Sequence, residues 1–246
     1  MEKKEHKSLD FFSFYDEKER FNISDSLMKA DKIIDFLKRN KIVPKTIIEL
    51  GCGVGLILRE IYTYFNENNY GVGMDISRRA IVKAKDLNPT LNFIIADATK
   101  VPFKDLSFDL CLLVDIIEHI PDPQEILEEA TRISRCVLLK VPLEYNYWRR
   151  FLNMTGIFTW EDSRNTVGHL HWWNYGDVKK LLKDYNILCE ELILLLSSHT
   201  GQISLLGLAE KFIGLLRKLS FKLLPRRLYM KIWGGDLLIM FKRELR

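Results

Sequence analysis

The stretch that decides the fold is KTIIELGCGVGLILREIY, Lys45 to Tyr62. Thr46 to Leu50 is an apolar run carrying one acid, Glu49, and reads as a buried strand, while Val54 to Phe65 repeats apolar residues at helical spacing. Between them Gly51, Gly53 and Gly55 stand at alternate positions. Lacking Cβ atoms, they let the chain turn sharply and leave bare main chain facing whatever lies above. A dinucleotide turn of the form G-x-G-x-x-G would need glycine at position 56, where Leu56 stands, and Glu49 would repel a pyrophosphate. A nicotinamide-dependent oxidoreductase is disfavoured on the same ground. The turn suits close approach to something other than a phosphate.

The same rhythm continues outward. A helix is expected over Ser24 to Asn40, from Leu27, Ile33, Ile34 and Leu37, with Ser24 or Asp25 as its cap. Short apolar runs follow at Tyr70–Asp75, Leu91–Asp97, Phe108–Val114 and Cys136–Pro142, separated by helical patterns beginning at Ser77 and Pro123. Such alternation predicts a doubly wound α/β fold with a parallel sheet covered on both faces. Right-handed crossovers then gather the strand-to-helix turns along one edge, where open sheets of this kind bind ligands. Glu49, Asp75, Asp97 and Asp115 each end or follow a strand, so that edge is acidic and suits a cationic or zwitterionic ligand. The plainer alternative is that the glycines serve only the turn and the acids cap helices.

Composition excludes several classes. At 246 residues and 47% hydrophobic, the chain can bury a full core, read as one domain over 1–246. Its formal charge of +4 is far from the dense basic fields of nucleic-acid binders, so no nucleic acid is expected. Cys52, Cys111, Cys136 and Cys189 form no C-x-x-C pair, so no metal site is read from them, and a reducing cytoplasm is the expected setting. The opening MEKKEHKSLDFF lacks the apolar core of a secretory signal, and no apolar run nears the roughly 18 residues of a membrane span.

After Pro142 the alternation breaks. Residues 143–175 carry Tyr145, Tyr147, Trp148, Phe151, Phe158, Trp160, Trp172 and Trp173, and read either as a cover on the substrate side or as an aromatic satellite core. A helix over Gly176–Tyr185 and strands over Ile187–Leu196 and Asp236–Phe241 follow. Between those strands, 204–233 holds seven Lys/Arg against one Glu, with Leu205, Leu208, Phe212, Leu215, Leu216, Leu219 and Leu223 at helical spacing. A basic amphipathic helix of this kind can make peripheral contact with a membrane or fold over an apolar ligand, or simply keep its polar face in water.

IELGCGVG, GVGMDIS with its acid 24 residues beyond the first glycine, ADATKVPF and FDLCLLVDIIEHIPDP stand in order on the expected strands. Together they resemble the class I S-adenosylmethionine-dependent methyltransferases, most closely the small-molecule branch that includes the ubiquinone and menaquinone biosynthesis enzymes. The resemblance covers about Ser24 to Tyr185. It implies a seven-stranded sheet of order 3-2-1-4-5-7-6 with the last strand antiparallel, a helical lid over 1–40 and a cofactor core over 41–142. It also implies S-adenosyl-L-methionine as cofactor. Gly51, Cys52, Gly53 and Gly55 would line the methionine portion, and Glu49 would meet its amino group. Asp75 would take the ribose hydroxyls, a pairing that suits a bidentate carboxylate. Ile76 would pack on the adenine, Asp97 and the Ala98 amide would meet its edge, and Val114 and Asp115 would lie beside the sulfonium. Within FYDEKERF, Tyr15 and Arg20 would belong to the lid.

Methyl transfer from a sulfonium needs alignment more than acid–base help. Where the acceptor is a hydroxyl or an acidic carbon a histidine suits the base's role, and His119, His169 and His171 are the candidates. The expected acceptor is a small or lipid-like molecule. The alternative is a module that keeps the fold and binds cofactor or membrane without transferring methyl.

Overall fold

The computed structural model describes residues 23–65, 70–157, 159–185, 189–195 and 207–242. Tyr15 and Arg20 lie outside them. The strands β1 (Thr46–Leu50), β2 (Tyr70–Asp75), β3 (Asn92–Ile95), β4 (Phe108–Val114), β5 (Ser134–Leu143), β6 (Cys189–Leu195) and β7 (Gly235–Lys242) follow the order β3-β2-β1-β4-β5-β7-β6. By contacts the chain divides into two units. Unit 1 is Met1–Ile116, Asp122–Leu138 and Lys242–Arg246, and unit 2 is Ile117–Pro121 and Leu139–Phe241. Ile117–Pro121 falls in unit 2, and strand β5 (Ser134–Leu143) is divided between the units.

Unit 1 builds outward from β1 (Thr46–Leu50). It pairs in parallel with β2 (Tyr70–Asp75), Ile48 opposite Val72, and with β4 (Phe108–Val114), Ile48 opposite Cys111. Ile47, Ile48, Leu50 and Leu110 to Leu113 are buried, as a strand covered on both faces requires. Each such Leu or Ile contributes about 1.5–3 kcal/mol by leaving water. The edge strand β3 spans only Asn92–Ile95, with Asn92 and Ile95 exposed, and is shorter than the expected Leu91–Asp97 because Asp97 enters a turn.

α1 is Ile23–Arg39, with Ser24 and Asp25 inside its first turn and not ahead of it as the expected caps, and α2 is Leu56–Phe65. The two later helices of unit 1 begin where their caps stand. α3 (Arg78–Leu87) starts after Ser77, whose side chain accepts from the Ala80 amide. α4 (Pro123–Ile133) starts after Asp122, which accepts from Gln124 N, with Pro123 at the first helical position, where a missing N–H costs nothing.

Unit 2 holds α5 (Tyr147–Met154), α6 (Trp160–Val167), α7 (Tyr175–Asp184), β6 (Cys189–Leu195), α8 (Gly207–Leu223), α9 (Arg226–Trp233) and β7 (Gly235–Lys242). β6 and β7 run antiparallel, Leu192 opposite Ile239. The 204–233 segment is broken into two helices at Pro225, which has no N–H to continue α8 and opens α9 instead. The aromatics of the 143–175 segment pack on one another: Trp148 stacks on Phe151, Tyr145 lies 5.8 Å from Trp160, and Trp160 lies 5.3 Å from Trp172. Lys140 and Asp236 form a buried ion pair at 3.0 Å, with both side chains almost wholly out of water.

Candidate functional site

The glycine turn of unit 1 is tied down by its own amides. Gly51 N and Cys52 N donate to Met74 O at 2.7 and 3.0 Å, and Gly55 N donates to Cys52 O at 2.8 Å. Gly53 N donates to Asp75 Oδ2 at 2.8 Å. These donors are engaged inside the protein, so the turn is not an anion nest. Gly51, Gly53 and Gly55 all have positive φ, a conformation natural to glycine. A Cβ on Gly51 would meet Ile116 Cδ1 at 2.4 Å, and one on Gly55 would meet the Phe93 ring at 2.6 Å. The bare backbone at these two positions thus makes room for the protein's own side chains, a reason the sequence reading did not supply.

Two carboxylates flank the turn, Glu49 buried and Asp75 half-buried. Glu49 accepts from Leu58 N at 3.1 Å, anchoring the first turn of α2 to β1. Burial pushes its pKa up to about 8, opposed by the Leu58 amide, reinforced by the charge of Asp75 and eased by Lys29. Asp75 accepts from Gly53 and Ser77 amides, both at 2.8 Å. Burial raises its pKa as well, against the pull of those amides and that of Ile76. Cys52 is buried, and desolvation holds its thiol well above the usual range, so it is no nucleophile.

The other named positions are placed less uniformly. Asp97 takes the Thr99 amide and hydroxyl at 2.9 and 2.8 Å in a local turn. Ala98 and Val114 are buried, and Ile76 is half-buried. Asp115 has φ of 50° and meets Lys29 Nζ at 2.7 Å; Lys29 also pairs with Asp25 one turn earlier on α1. The acidic edge therefore carries a cation of its own. Nothing in the sequence singles out Lys29, since the contact joins α1 to the end of β4. Asn88 was missed too. It closes α3 and donates to Val54 O at 3.0 Å, fixing the far side of the glycine turn, and its place just after the helical pattern was the available signal.

The three histidines come together within unit 2. His119 Nδ1 lies 3.1 Å from Gly168 O, and His171 Nε2 lies 3.0 Å from Ile120 O. Since a carbonyl only accepts, each of those nitrogens carries the proton. Leu170 N and His171 N both donate to Glu118 O, at 2.8 and 3.1 Å. His169 Nδ1 lies 2.6 Å from Glu144 Oε2, and Glu144 is held in turn by Arg149 at 2.9 Å. Burial would lower the His169 pKa, but the Glu144 hydrogen bond and charge, with Glu118, leave it raised. The His171 ring ties its loop to the Ile120 carbonyl.

Residues 48–135 match the methyltransferase domain family. Norajmaline N-methyltransferase of Rauvolfia serpentina is 29% identical over 132 residues, 49% of this chain and 45% of that protein. Cycloartenol-C-24-methyltransferase of Arabidopsis thaliana is 32% identical over 95 residues, 36% of this chain and 28% of that protein. The chain thus spans less than half the length of these relatives. A solved structure of a SAM-dependent methyltransferase from Archaeoglobus fulgidus superposes with a TM-score of 0.55 at 16% identity, covering 87% of this chain and 94% of that one.

Proposed function

We propose that this chain, a class I S-adenosylmethionine-dependent methyltransferase by its matched domain and its fold, transfers a methyl group to a small or lipid-like acceptor. The observation that carries the reading is the chemistry around the glycine turn. Its amides are engaged, which disfavours a phosphate ligand, while the buried Glu49 and the half-buried Asp75 stand beside it with raised pKa values, which favours a cationic one. An amino acid nucleoside bearing an ammonium, a sulfonium and a ribose diol fits that set. Glu49 would meet the ammonium and Asp75 the diol. Gly51, Cys52, Gly53 and Gly55 would form the floor, with Ile76, Asp97, Ala98, Val114 and Asp115 as further contacts. Once bound, the cofactor supplies a methyl already activated by positive sulfur. The protein's part is to orient and to exclude water. Where the acceptor is a hydroxyl or an acidic carbon, His119 or His169 would serve as the base, each with its Nδ1 engaged by Gly168 O or Glu144.

A lipid-like acceptor and an anionic membrane surface are supported by α8. Phe212, Leu215, Leu216, Leu219 and Leu223 are exposed along it, with Lys218 and Lys222 on the same helix and Arg226 and Arg227 just beyond. Apolar side chains beside cations suit a bilayer interface. Among the described residues no helix is long and apolar enough to cross a membrane. The relative from Arabidopsis thaliana bears the name of a cycloartenol methyltransferase, which lends the lipid-like reading further support.

Calorimetry with S-adenosylmethionine and with NAD tests the cofactor: binding of the first alone is expected, and preference for NAD would overturn the reading. Formation of labelled S-adenosylhomocysteine on incubation with lipid and metabolite extracts tests the transfer. Flotation with anionic and neutral vesicles tests the membrane contact, with binding expected to the anionic ones.

A further inference from the structure

We propose that Glu118, His119 and His169 form a site for one divalent transition-metal ion of the Zn²⁺ or Co²⁺ kind, bound by the Glu118 carboxylate and the Nε2 atoms of the two imidazoles. All three residues belong to unit 2. The site stands whether or not the glycine turn of unit 1 binds a cofactor.

The three residues offer one ligand atom each, all within 4.8 Å of one another, and the two imidazole centroids are 4.8 Å apart at 67°. Zinc-type bonds of about 2.0–2.2 Å place tetrahedral ligands about 3.5 Å apart, so closure asks for a contraction on the order of 1 Å. The tautomers are already set for it. His119 donates from Nδ1 to the Gly168 carbonyl, and His169 holds Glu144 through Nδ1, so the lone pair of each neutral ring sits on Nε2. Metal-binding histidines almost always give their other N–H to a backbone carbonyl or a carboxylate, and here one of each is present. The carboxylate partner is itself oriented, because Arg149 holds Glu144 through its other oxygen.

The backbone supports the same assembly. The Glu118 carbonyl takes the amides of both Leu170 and His171, which ties the short turn Ile117–His119 to the loop that carries His169. Ligands on two distant stretches are thereby held in register. Glu118 is 1% exposed, and a carboxylate stripped of water attracts a cation more strongly than a solvated one. Two imidazoles with one carboxylate favour Zn²⁺, Co²⁺ or Fe²⁺ over Mg²⁺ or Ca²⁺, which prefer all-oxygen sets. Three protein ligands leave at least one position for water or for a donor atom of a bound molecule.

The test is titration of the full chain, stripped with a chelator, with Co²⁺, followed by its visible d–d absorption. One equivalent per chain is expected, with the band intensity of a four- or five-coordinate nitrogen and oxygen site. His119→Gln and His169→Gln should each weaken binding by about 100-fold or more, and Glu144→Gln, which removes only the orienting partner, by about tenfold. His171→Gln, whose ring nitrogen serves the Ile120 carbonyl, should change affinity by less than about threefold. Absence of bound Co²⁺ in the parent chain would overturn the proposal, as would undiminished binding in both ligand variants. Should those two fail to fold by circular dichroism, the parent titration and Glu144→Gln decide, and an unchanged affinity in Glu144→Gln counts against the site.

Discussion

The carboxylates beside the glycine turn of unit 1 and the paired ones of unit 2 are held by different means. Beside the turn they lean on backbone amides, Asp75 on Gly53 and Ser77 and Glu49 on Leu58, although Asp115 of the same unit leans on Lys29. In unit 2 they lean on side chains delivered from elsewhere: Asp236 on Lys140, and Glu144 on Arg149 and His169. An amide comes with the turn that places it and survives substitution of its neighbours' side chains. A lysine or a histidine is lost in one substitution. The difference teaches where each unit is fragile.

The largest effect is expected in unit 2. Lys140→Ala leaves Asp236 buried without its cation, and should cost about 3–5 kcal/mol in urea unfolding, because removing one member of a buried pair strands the other. Replacing both, as Lys140→Met with Asp236→Leu, should recover most of that. An unchanged midpoint in Lys140→Ala would erase the contrast between the units.

In unit 1 the sensitive element is the backbone itself. Gly51→Ala combines a positive φ with a contact on Ile116, and should cost about 2–4 kcal/mol. Ile116→Ala beside it relieves the contact but not the φ, so partial rescue by the double substitution would sharpen the account.

Asp75→Asn tests whether the amide-held carboxylate also serves a ligand. It should weaken S-adenosylmethionine binding by about 10- to 100-fold by calorimetry, the range for a charge-assisted hydrogen bond. Equal affinity would leave Asp75 with a structural role alone.

The smallest effect is a pH dependence. With its pKa near 8, against an ordinary 4.5, Glu49 is protonated at neutral pH in the ligand-free chain. Folding stability from this group is complete below about pH 4.5, and is lost as pH rises toward 8, because the unfolded chain ionises first. Binding a cation asks for the charged form, so affinity should rise about tenfold from pH 7 to pH 9 with uptake of the ligand's charge and release of a proton. Glu49→Gln should flatten both profiles.

Much of unit 1 was legible because its signals are local. The strand Phe108–Val114 and the helix from Pro123 fall where the apolar runs, the Asp122 cap and the proline put them. β3 came out shorter because the turn that Asp97 enters is not written in an apolar run. The chemistry of the histidines was legible only as residue type. His119 and His169 were named as bases one at a time, and Glu118 and Glu144 went unremarked, since their meeting depends on a loop 49 residues beyond His119.

What the amino-acid sequence determined by itself is the alternation of buried strands and helices, the sharp glycine turn and the acids that follow the strands. Each is decided by residues within a few positions of one another, through periodicity, φ preference and capping. Only the tertiary structure decided that Ile116 and Phe93 stand where a Cβ on Gly51 or Gly55 would point, that Lys29 meets Asp115, and that two histidines and a glutamate share one corner of unit 2. Those contacts depend on where separate elements cross, and burial sets their strength.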